Sequence, residues 1–218
     1  YLVTGGLSDL GLALAAHLAA RGAGQVWLLG RRLPEAGSAG AAAVEKIAAT
    51  GCDVRLLQVD VTNRAALAEA FGTHLLPSPM PLAGVFHLAG LLDDAPLSRL
   101  DWARFNTVLS PKVDGSWFLH ELTRDLALDH FVVFSSIASV FGTHGQANHV
   151  AANTFMDALV AARRADFLPG LSINWGAWGE LGTVVRLGIL DRIRQQGVEG
   201  FDTATGLAVL DRLMASGE

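Results

Sequence analysis

The stretch that decides the fold is residues 134–153, which read FSSIASVFGTHGQANHVAAN. It follows a short apolar run and opens with two serines after Phe134, an order typical of a buried strand that ends in a loop. A helix is predicted to start near residue 148, and His149 and Asn153 share one of its faces because they are four residues apart. Ser136 at the end of the strand would then face two polar groups of one helix, which is the arrangement of a functional site.

The rest of the chain alternates short apolar segments with segments of helical periodicity. Strands are predicted over residues 2–4, 25–29, 54–59, 82–88, 131–134 and 171–175, and helices over residues 10–20, 39–49, 64–71, 102–122 and 203–214. Short apolar strands that alternate with helices predict a parallel sheet covered on both faces. The predicted fold class is therefore α/β, a doubly wound parallel sheet of the Rossmann type with right-handed crossovers.

Length and composition limit the classes of protein to which the chain can belong. The 218 residues, of which 51% are hydrophobic, suit one globular domain with a sizeable core, and no apolar run is long enough to span a membrane. The lone Cys52 excludes a disulfide framework or a cysteine metal site and fits a reducing cytoplasm. The net charge of -5 gives no reason to expect nucleic acid or an anionic membrane as a partner.

A glycine-rich turn, TGGLSDLG, lies at residues 4–11 between the first predicted strand and the first helix. A dinucleotide fold turns its chain beneath a pyrophosphate at this place. Gly6 and Gly11 fit that pattern, but Ser8 replaces the middle glycine and Asp9 follows it. A side chain obstructs the approach of the phosphate, and a carboxylate at roughly 4 Å would repel it by about 4 kcal/mol in a surface-like dielectric. Alternatively, the stretch is a plain turn in which Ser8 or Asp9 caps the helix.

A set of polar residues has the spacing of a known active site: Lys112, Ser136, Gln146, Asn148 and Asn153. In these positions the chain resembles the short-chain dehydrogenases, and more narrowly the ketoreductase domains of modular polyketide synthases. Their motifs read Ser-Ser-x-Ala and Gly-Gln-x-Asn-Tyr-x-x-x-Asn, with a lysine on the preceding helix. Here His149 stands in the place of the tyrosine, and the only tyrosine in the chain is Tyr1. The resemblance implies that residues 1–218 are a ketoreductase-like catalytic subdomain, a segment of a larger multidomain synthase.

The resemblance implies NADPH as the cofactor. The positions that match the cofactor site of the family are Gly6, Ser8, Leu10, Gly11, Arg31, Asp60, His87, Ala89 and Gly90. Among them Arg31 would meet the 2′-phosphate and Asp60 would lie on the adenine side. Each of these residues alone could equally be a solvated arginine, a helix cap or a loop residue. Because Ser8 and Asp9 depart from the pattern, we expect NADPH binding to be impaired.

Reduction of a ketone by hydride needs a proton donor, a hydroxyl that holds the carbonyl, and a cation that tunes the donor. By resemblance, Ser136 would hold the carbonyl, Lys112 would tune the donor, and Asn153 would anchor a water relay. His149 is a poor substitute for the phenol because it has a shorter reach and because the charge of Lys112 disfavours protonated imidazole. Alternatively, His149 is a polar residue at a helix start without a chemical role.

Three functions are compatible with this pattern. In each of them the ligand is a β-ketoacyl chain carried by an acyl carrier protein, and neighbouring synthase domains are the other partners. In the first, the domain does not reduce, as in the C-type of the family, but epimerises the α-carbon: His149 removes the α-proton and Ser136 holds the enolate oxygen. In the second, the domain is structural and keeps its neighbours in register. In the third, it is an NADPH-dependent reductase with His149 as the proton donor.

Two further stretches resemble family features. The sequence Leu92-Asp93-Asp94 is similar to the motif of ketoreductases that give the B-type alcohol, although an acidic pair can also cap a helix. Residues 179–197 have the position of the substrate lid, with an amphipathic helix predicted over residues 189–196.

Overall fold

The strands of the sheet match the predicted pattern closely. In this computed structural model, which describes residues 1–188, 190–191 and 197–216, the strands are β1 Leu2–Thr4, β2 Gln25–Gly30, β3 Asp53–Gln58, β4 Gly84–His87, β5 His130–Ser136 and β6 Leu171–Trp175. They form one six-stranded sheet in the order β3-β2-β1-β4-β5-β6, and every neighbouring pair is parallel. The prediction of a doubly wound parallel sheet is confirmed.

Helices cover both faces of the sheet. They are α1 Asp9–Ala20, α2 Ala39–Ala48, α3 Arg64–Ala70, α4 Trp102–Thr123, α5 Ala138–Phe141, α6 Ala147–Ala165, α7 Thr183–Arg186 and α8 Thr203–Ser216. A π-helical turn, Phe71–Leu75, extends α3, and the predicted helix over residues 189–196 lies largely outside the described residues. Within the described part of the chain, none of the helices combines the length and the apolar character that a membrane span needs.

The core consists of two apolar layers, one on each face of the sheet. Side chains alternate between the layers along β1, where Val3 packs with Leu14 of α1 and Leu2 packs with Leu119 of α4. All four of these side chains are buried completely. A sheet covered on both sides explains why its strands read as short, continuous apolar runs.

Helix α8 packs against α1 and the aromatic residues that follow β6. Asp211 accepts hydrogen bonds from His17 at 2.8 Å and pairs with Arg21 at 3.1 Å. Gly206 faces the ring of Trp178, since a Cβ at this position would lie 2.4 Å from Cη2 of the indole. The contact places α8 behind one wall of the crevice described below.

The strand order fixes where a ligand can bind. The chain leaves β1 to form β2 and β3 on one side, and returns to form β4, β5 and β6 on the other side. The loops that follow β1 and β4 therefore separate and leave a crevice at the carboxyl ends of the strands, which is where open α/β sheets bind their ligands.

Candidate active site

A cleft of about 660 Å³ opens at the carboxyl ends of β4, β5 and β6. It brings together Lys112 of α4, Ser136 of β5 and His149 of α6, three of the four predicted catalytic residues. The fourth, Asn153, is buried on α6 and does not line the cleft. These residues come from three different elements, so the geometry depends on how those elements pack.

Two polar atoms of α6 are buried near the cleft without a hydrogen-bond partner among the described residues. They are Nδ1 of His149 and Oδ1 of Asn153. The amide nitrogen of Asn153 donates to the backbone carbonyl of His149 at 2.7 Å, so the asparagine is held against its own helix. The two residues lie one turn apart, as their spacing predicts.

His149 is a neutral imidazole in this site. Burial lowers its pKa to about 3, and the positive charge of Lys112 acts in the same direction. The ring is therefore unprotonated near neutral pH. It carries no imidazolium proton to donate, and the same low pKa makes it a weak base.

Lys112 is almost completely buried, with 7% of its surface exposed. Its ammonium group donates a hydrogen bond to the backbone carbonyl of Phe134 at 3.0 Å. Burial lowers its pKa to about 8, against the opposing charge of Asp157. Gly90 makes room for the lysine stem, because a Cβ at position 90 would lie 2.9 Å from Cε of Lys112. The cation therefore lies at the cleft with its orientation set by the strand end.

A polar network around Asp157 holds the end of β5 in place. One carboxylate oxygen of Asp157 accepts from the hydroxyl of Ser139 at 2.6 Å and from the amide of Asn174 at 2.9 Å, and the other accepts from Ser172. The amide of Asn174 also approaches the backbone carbonyl of Ser136 at 3.4 Å. The network thus links α5, α6 and β6 around the serine that would hold a carbonyl oxygen.

Asp157 was not predicted from the sequence, although a signal for it exists. Residues 149, 153 and 157 are spaced at i, i+4 and i+8, so His149, Asn153 and Asp157 form a polar stripe on a helix that is otherwise rich in alanine. Burial raises the pKa of Asp157, but hydrogen bonds from Ser139, Ser172, Ser135 and Asn174 outweigh it and keep the pKa below its usual value. The carboxylate is therefore ionised.

The side chain of Ser8 forms its hydrogen bonds within the glycine-rich turn. Its hydroxyl donates to the carbonyl of Gly5 at 2.7 Å and accepts from the backbone amide of Gly11 at 3.1 Å, so Ser8 caps α1. Asp9 is exposed, and its carboxylate accepts from the amide of Gly182 at 3.2 Å. The turn therefore offers a diphosphate one free amide fewer, and one carboxylate more, than a glycine loop would. The residues present fit a dinucleotide poorly at this position.

The other predicted cofactor residues differ in their exposure and in their distance from the cleft. Leu10 and Gly90 line the cleft, whereas Arg31 is exposed at the end of β2. Asp60 accepts from the amide and the hydroxyl of Thr62, at 2.9 and 2.8 Å. Their roles in cofactor binding stay predictions.

Backbone packing explains several of the same positions. A Cβ on Gly11 would lie 2.4 Å from the carbonyl oxygen of Gly5, and one on Gly6 would lie 2.6 Å from that of Val3. The amide of Ala89 approaches the hydroxyl of Thr4 at 3.4 Å. These contacts join β1, α1 and the loop after β4 independently of any ligand.

His87 is fixed inside the core. Its Nδ1 lies 2.7 Å from the hydroxyl of Thr4, and 1% of the residue is exposed. Burial lowers its pKa to about 3, and the charge of Lys112 adds to this effect. The ring is therefore part of the packing between β4 and α4, and its side chain does not reach the cleft.

The acidic pair after β4 ties two loops of the cleft together. Asp93 pairs with Arg104 and accepts the amide of Asn148 through its backbone carbonyl at 2.9 Å. Asp94 accepts a hydrogen bond from Gln146 at 2.9 Å and lines the cleft. In the predicted lid, Leu181 and Gly182 also line the cleft, while residues 189 and 192–196 lie outside the described part of the chain.

Comparison with known proteins agrees with this geometry. The family model described as KR domain matches residues 1–180. Mycoketide-CoA synthase of Mycobacterium tuberculosis is 44% identical over 98% of this chain and 5% of its own length, and the spectinabilin polyketide synthase system protein NorB of Streptomyces orinoci is 42% identical over 99% of this chain and 10% of its own.

A solved structure described as an A1-type ketoreductase has a TM-score of 0.93 and 37% sequence identity, covering 100% of this chain and 45% of that one. The chain thus spans less than half of that structure and a tenth or less of the two synthases. With the cleft, the strand order and the family match in agreement, the chain belongs to the KR domain family, the ketoreductase domains of modular polyketide synthases.

Proposed function

We propose that this domain holds a β-ketoacyl chain of an acyl carrier protein in its cleft and does not reduce the ketone with NADPH. The observation that carries the proposal is the neutral, half-buried imidazole of His149 at the place where the resemblance implies a proton-donating phenol. Hydride addition to a ketone produces an alkoxide, which needs a proton from a positioned acid.

The acid is missing because burial and the charge of Lys112 hold the pKa of His149 low. A group with a pKa of about 3 is protonated in only about one molecule in 10⁴ near neutral pH. The cation of Lys112, which would help a phenol to ionise, also opposes the protonation of His149. Both effects act against His149 as a proton donor, so the domain has no efficient way to complete a reduction.

The glycine-rich turn supports the same proposal. Ser8 already occupies the amide of Gly11, and the carboxylate of Asp9 lies beside the place where a diphosphate would approach. The two side chains weaken the attraction of the helix N-terminus for an anion. Weak cofactor binding and a missing acid are independent obstacles to reduction.

A second, finer proposal is that the cleft exchanges the α-proton of the β-ketoacyl chain. Neutral imidazole is the form that removes a proton, although a pKa of about 3 makes His149 a weak base. Ser136 lines the same cleft, where its hydroxyl would hold an enolate oxygen. A purely structural domain would gain nothing from a buried lysine or from an unpaired buried Nδ1 on His149. A buried amine and an unpaired imidazole nitrogen at one cleft therefore favour chemistry over a structural role.

The test of reduction uses the purified domain with a 2-methyl-3-oxoacyl chain on an acyl carrier protein. We expect no oxidation of NADPH above the protein-free rate, for the chain as it is and for His149→Tyr alone. Only a variant that combines His149→Tyr with Ser8→Gly and Asp9→Ala should gain activity, because both obstacles must be removed. Steady oxidation of NADPH by the unaltered domain would reject the proposal in favour of a reductase with His149 as donor.

The test of α-proton exchange follows the loss of deuterium from the labelled α-position of the same substrate without NADPH. We expect exchange above the protein-free rate, a loss of at least about 10²-fold in His149→Ala, and an unchanged rate in His74→Gln, which removes an exposed imidazole. Exchange at the protein-free rate would leave the structural role as the explanation of the domain.

A further inference from the structure

Lys112 is one of only two lysines in the chain, and the two have opposite environments. Lys46 is exposed on α2, whereas Lys112 is buried and lines the cleft. Among the residues that the structure describes, no carboxylate forms an ion pair with Lys112, and its single hydrogen bond goes to the carbonyl of Phe134. Keeping an ammonium ion buried without an ion pair costs free energy, and loss of its proton removes this cost.

The lysine also lines a cleft that has both apolar and polar walls. Leu88, Leu91 and Trp175 give the cleft apolar walls, and Ser136 and His149 line it together with the amine. The lysine stem is confined by Gly90 and the amine is held by Phe134. A desolvated lysine in an apolar pocket is the arrangement that activates this residue as a nucleophile toward carbonyl groups.

We propose that Lys112 condenses with the ketone of a bound β-ketoacyl chain to form an imine, and that α-proton exchange proceeds through the enamine. The proposal deepens the non-reducing function proposed above and rests on it for the identity of the substrate. It assigns Lys112 a covalent role in place of the electrostatic one that the family resemblance implies.

The chemistry balances without an oxidant or a reductant. The neutral amine attacks the ketone carbon, a C–N bond forms, and the carbonyl oxygen takes up a proton to give a carbinolamine. A proton from solvent, passed to the hydroxyl group, lets water leave, which breaks the C–O bond and leaves an iminium ion. A base removes the α-proton, and the C–H electron pair forms the C=C bond of the enamine while nitrogen regains its lone pair. Reprotonation on either face and hydrolysis return the ketone and Lys112.

The environment supports each step. Burial lowers the pKa of Lys112 from 10.5 to about 8, so near neutral pH the neutral amine is about 300-fold more abundant than for an ordinary lysine. The hydroxyl of Ser136 can pass a proton to the departing oxygen. The neutral ring of His149 can accept the α-proton.

A change of charge links the lysine to the histidine. The cation on Lys112 is one of the two causes that lower the pKa of His149. When the iminium ion becomes an enamine, the positive charge on the lysine nitrogen disappears in the same step in which His149 becomes protonated. The imidazolium therefore forms without a neighbouring cation, which makes His149 a stronger base for this route than for direct formation of an enolate.

The test uses acetylacetone, a β-diketone that condenses with an amine to a stable enaminone with loss of one water. The purified domain is incubated with it, and intact mass and peptide mapping locate the adduct. We expect one adduct per chain, on Lys112, formed at least about 10-fold faster than on Lys46. Lys46→Arg should keep the adduct and Lys112→Arg should lose it, with circular dichroism checking that both variants fold.

A second measurement uses the natural functional group. Acetoacetyl N-acetylcysteamine thioester is added with cyanoborohydride, which reduces an imine to a stable secondary amine. Labelling of Lys112, faster than that of Lys46, is the expected result. Equal labelling of the two lysines, or none at Lys112 with either reagent, would overturn the proposal even if Lys112→Arg failed to fold, because both rates are compared within the unaltered chain.

NADPH oxidation is measured on the same preparation, so the two proposals fail separately. Absence of labelling together with absence of NADPH oxidation removes the imine and leaves the non-reducing function standing. NADPH oxidation by the unaltered domain removes the non-reducing function, while the labelling of Lys112 still decides whether the amine is a nucleophile.

Discussion

At the scale of single residues, Phe167 has a backbone that does not suit its side chain. Its φ of 59° is the only positive value of a non-glycine residue within the described ranges. The residue follows α6 in the left-handed position that ends many helices, with its amide donating to the carbonyl of Arg164 at 3.1 Å. The ring is 98% exposed, so no burial offsets the strain of the left-handed region.

We expect Phe167→Gly to raise the free energy of unfolding by about 1 kcal/mol. Glycine removes the clash of Cβ in the left-handed region, and the greater freedom of glycine in the unfolded chain cancels part of the gain. Urea unfolding followed by circular dichroism measures the change. Phe167→Ala is the matched control, because it removes the ring and keeps Cβ. If both variants were equally stable, the strain would not be the cause.

The candidate site shows which residue roles can be predicted from a sequence. Ser136, His149 and Lys112 were placed together because their spacing matches a family pattern, and the cleft contains all three. The sequence leaves open whether Ser8 obstructs the approach of a phosphate or caps a helix, and the structure shows the helix cap. The contact of Asp9 with Gly182 joins residues 173 positions apart, and no local pattern predicts it.

At the scale of elements, the strands of the sheet can be predicted from the sequence, whereas the short helix α5 cannot. The predicted strands end within two residues of the observed ones because apolar runs bounded by Gly, Asp or Ser mark buried parallel strands clearly. Helix α5, Ala138–Phe141, lies in a stretch without helical periodicity, since four residues are too few to show it. Helix α4 continues through Pro111 because its buried face is held against the sheet.

The junction of α5, α6 and β6 depends on Asp157. Its carboxylate accepts from Ser139, Ser172 and Asn174, and all three donors come from elements that converge on the end of β5. If an amide nitrogen replaced one carboxylate oxygen, its N–H groups would face a hydroxyl or amide that is itself a hydrogen-bond donor. An ionised acceptor with several donors contributes more than a neutral hydrogen bond does.

We expect Asp157→Asn to lower the free energy of unfolding by about 2 kcal/mol, the usual scale for hydrogen bonds to a charged group. It should also loosen the backbone at Ser136, seen as faster amide hydrogen exchange at the end of β5. Asp166→Asn, an exposed change just after the same helix, is the control and should stay within about 0.5 kcal/mol. Exchange at β5 that matched in the two variants would refute the positioning role of Asp157.

At the scale of the whole molecule, the fold buries bases that ordinary proteins leave in water. His149 and Lys112 line the cleft, His87 lies in the core between β4 and α4, and burial lowers the pKa of each. The two histidines have a pKa of about 3 in the folded chain and about 6.5 in the unfolded chain. Between these values the unfolded chain binds more protons, so stability rises with pH.

The stability that these histidines contribute is therefore complete above about pH 6.5 and is lost as the pH falls toward 3. For each histidine the loss between pH 7 and pH 5.5 is about 1 kcal/mol, so the folded chain should lose about 2 kcal/mol in a range where carboxylates contribute little. Urea unfolding at several pH values measures the slope. His149→Gln should remove about half of the share that His87 and His149 contribute to the slope, whereas His74→Gln at an exposed position should leave the slope unchanged. An unaltered slope in His149→Gln would mean that burial does not lower the pKa of His149 in the folded domain, and His149 would then again be a candidate proton donor for reduction.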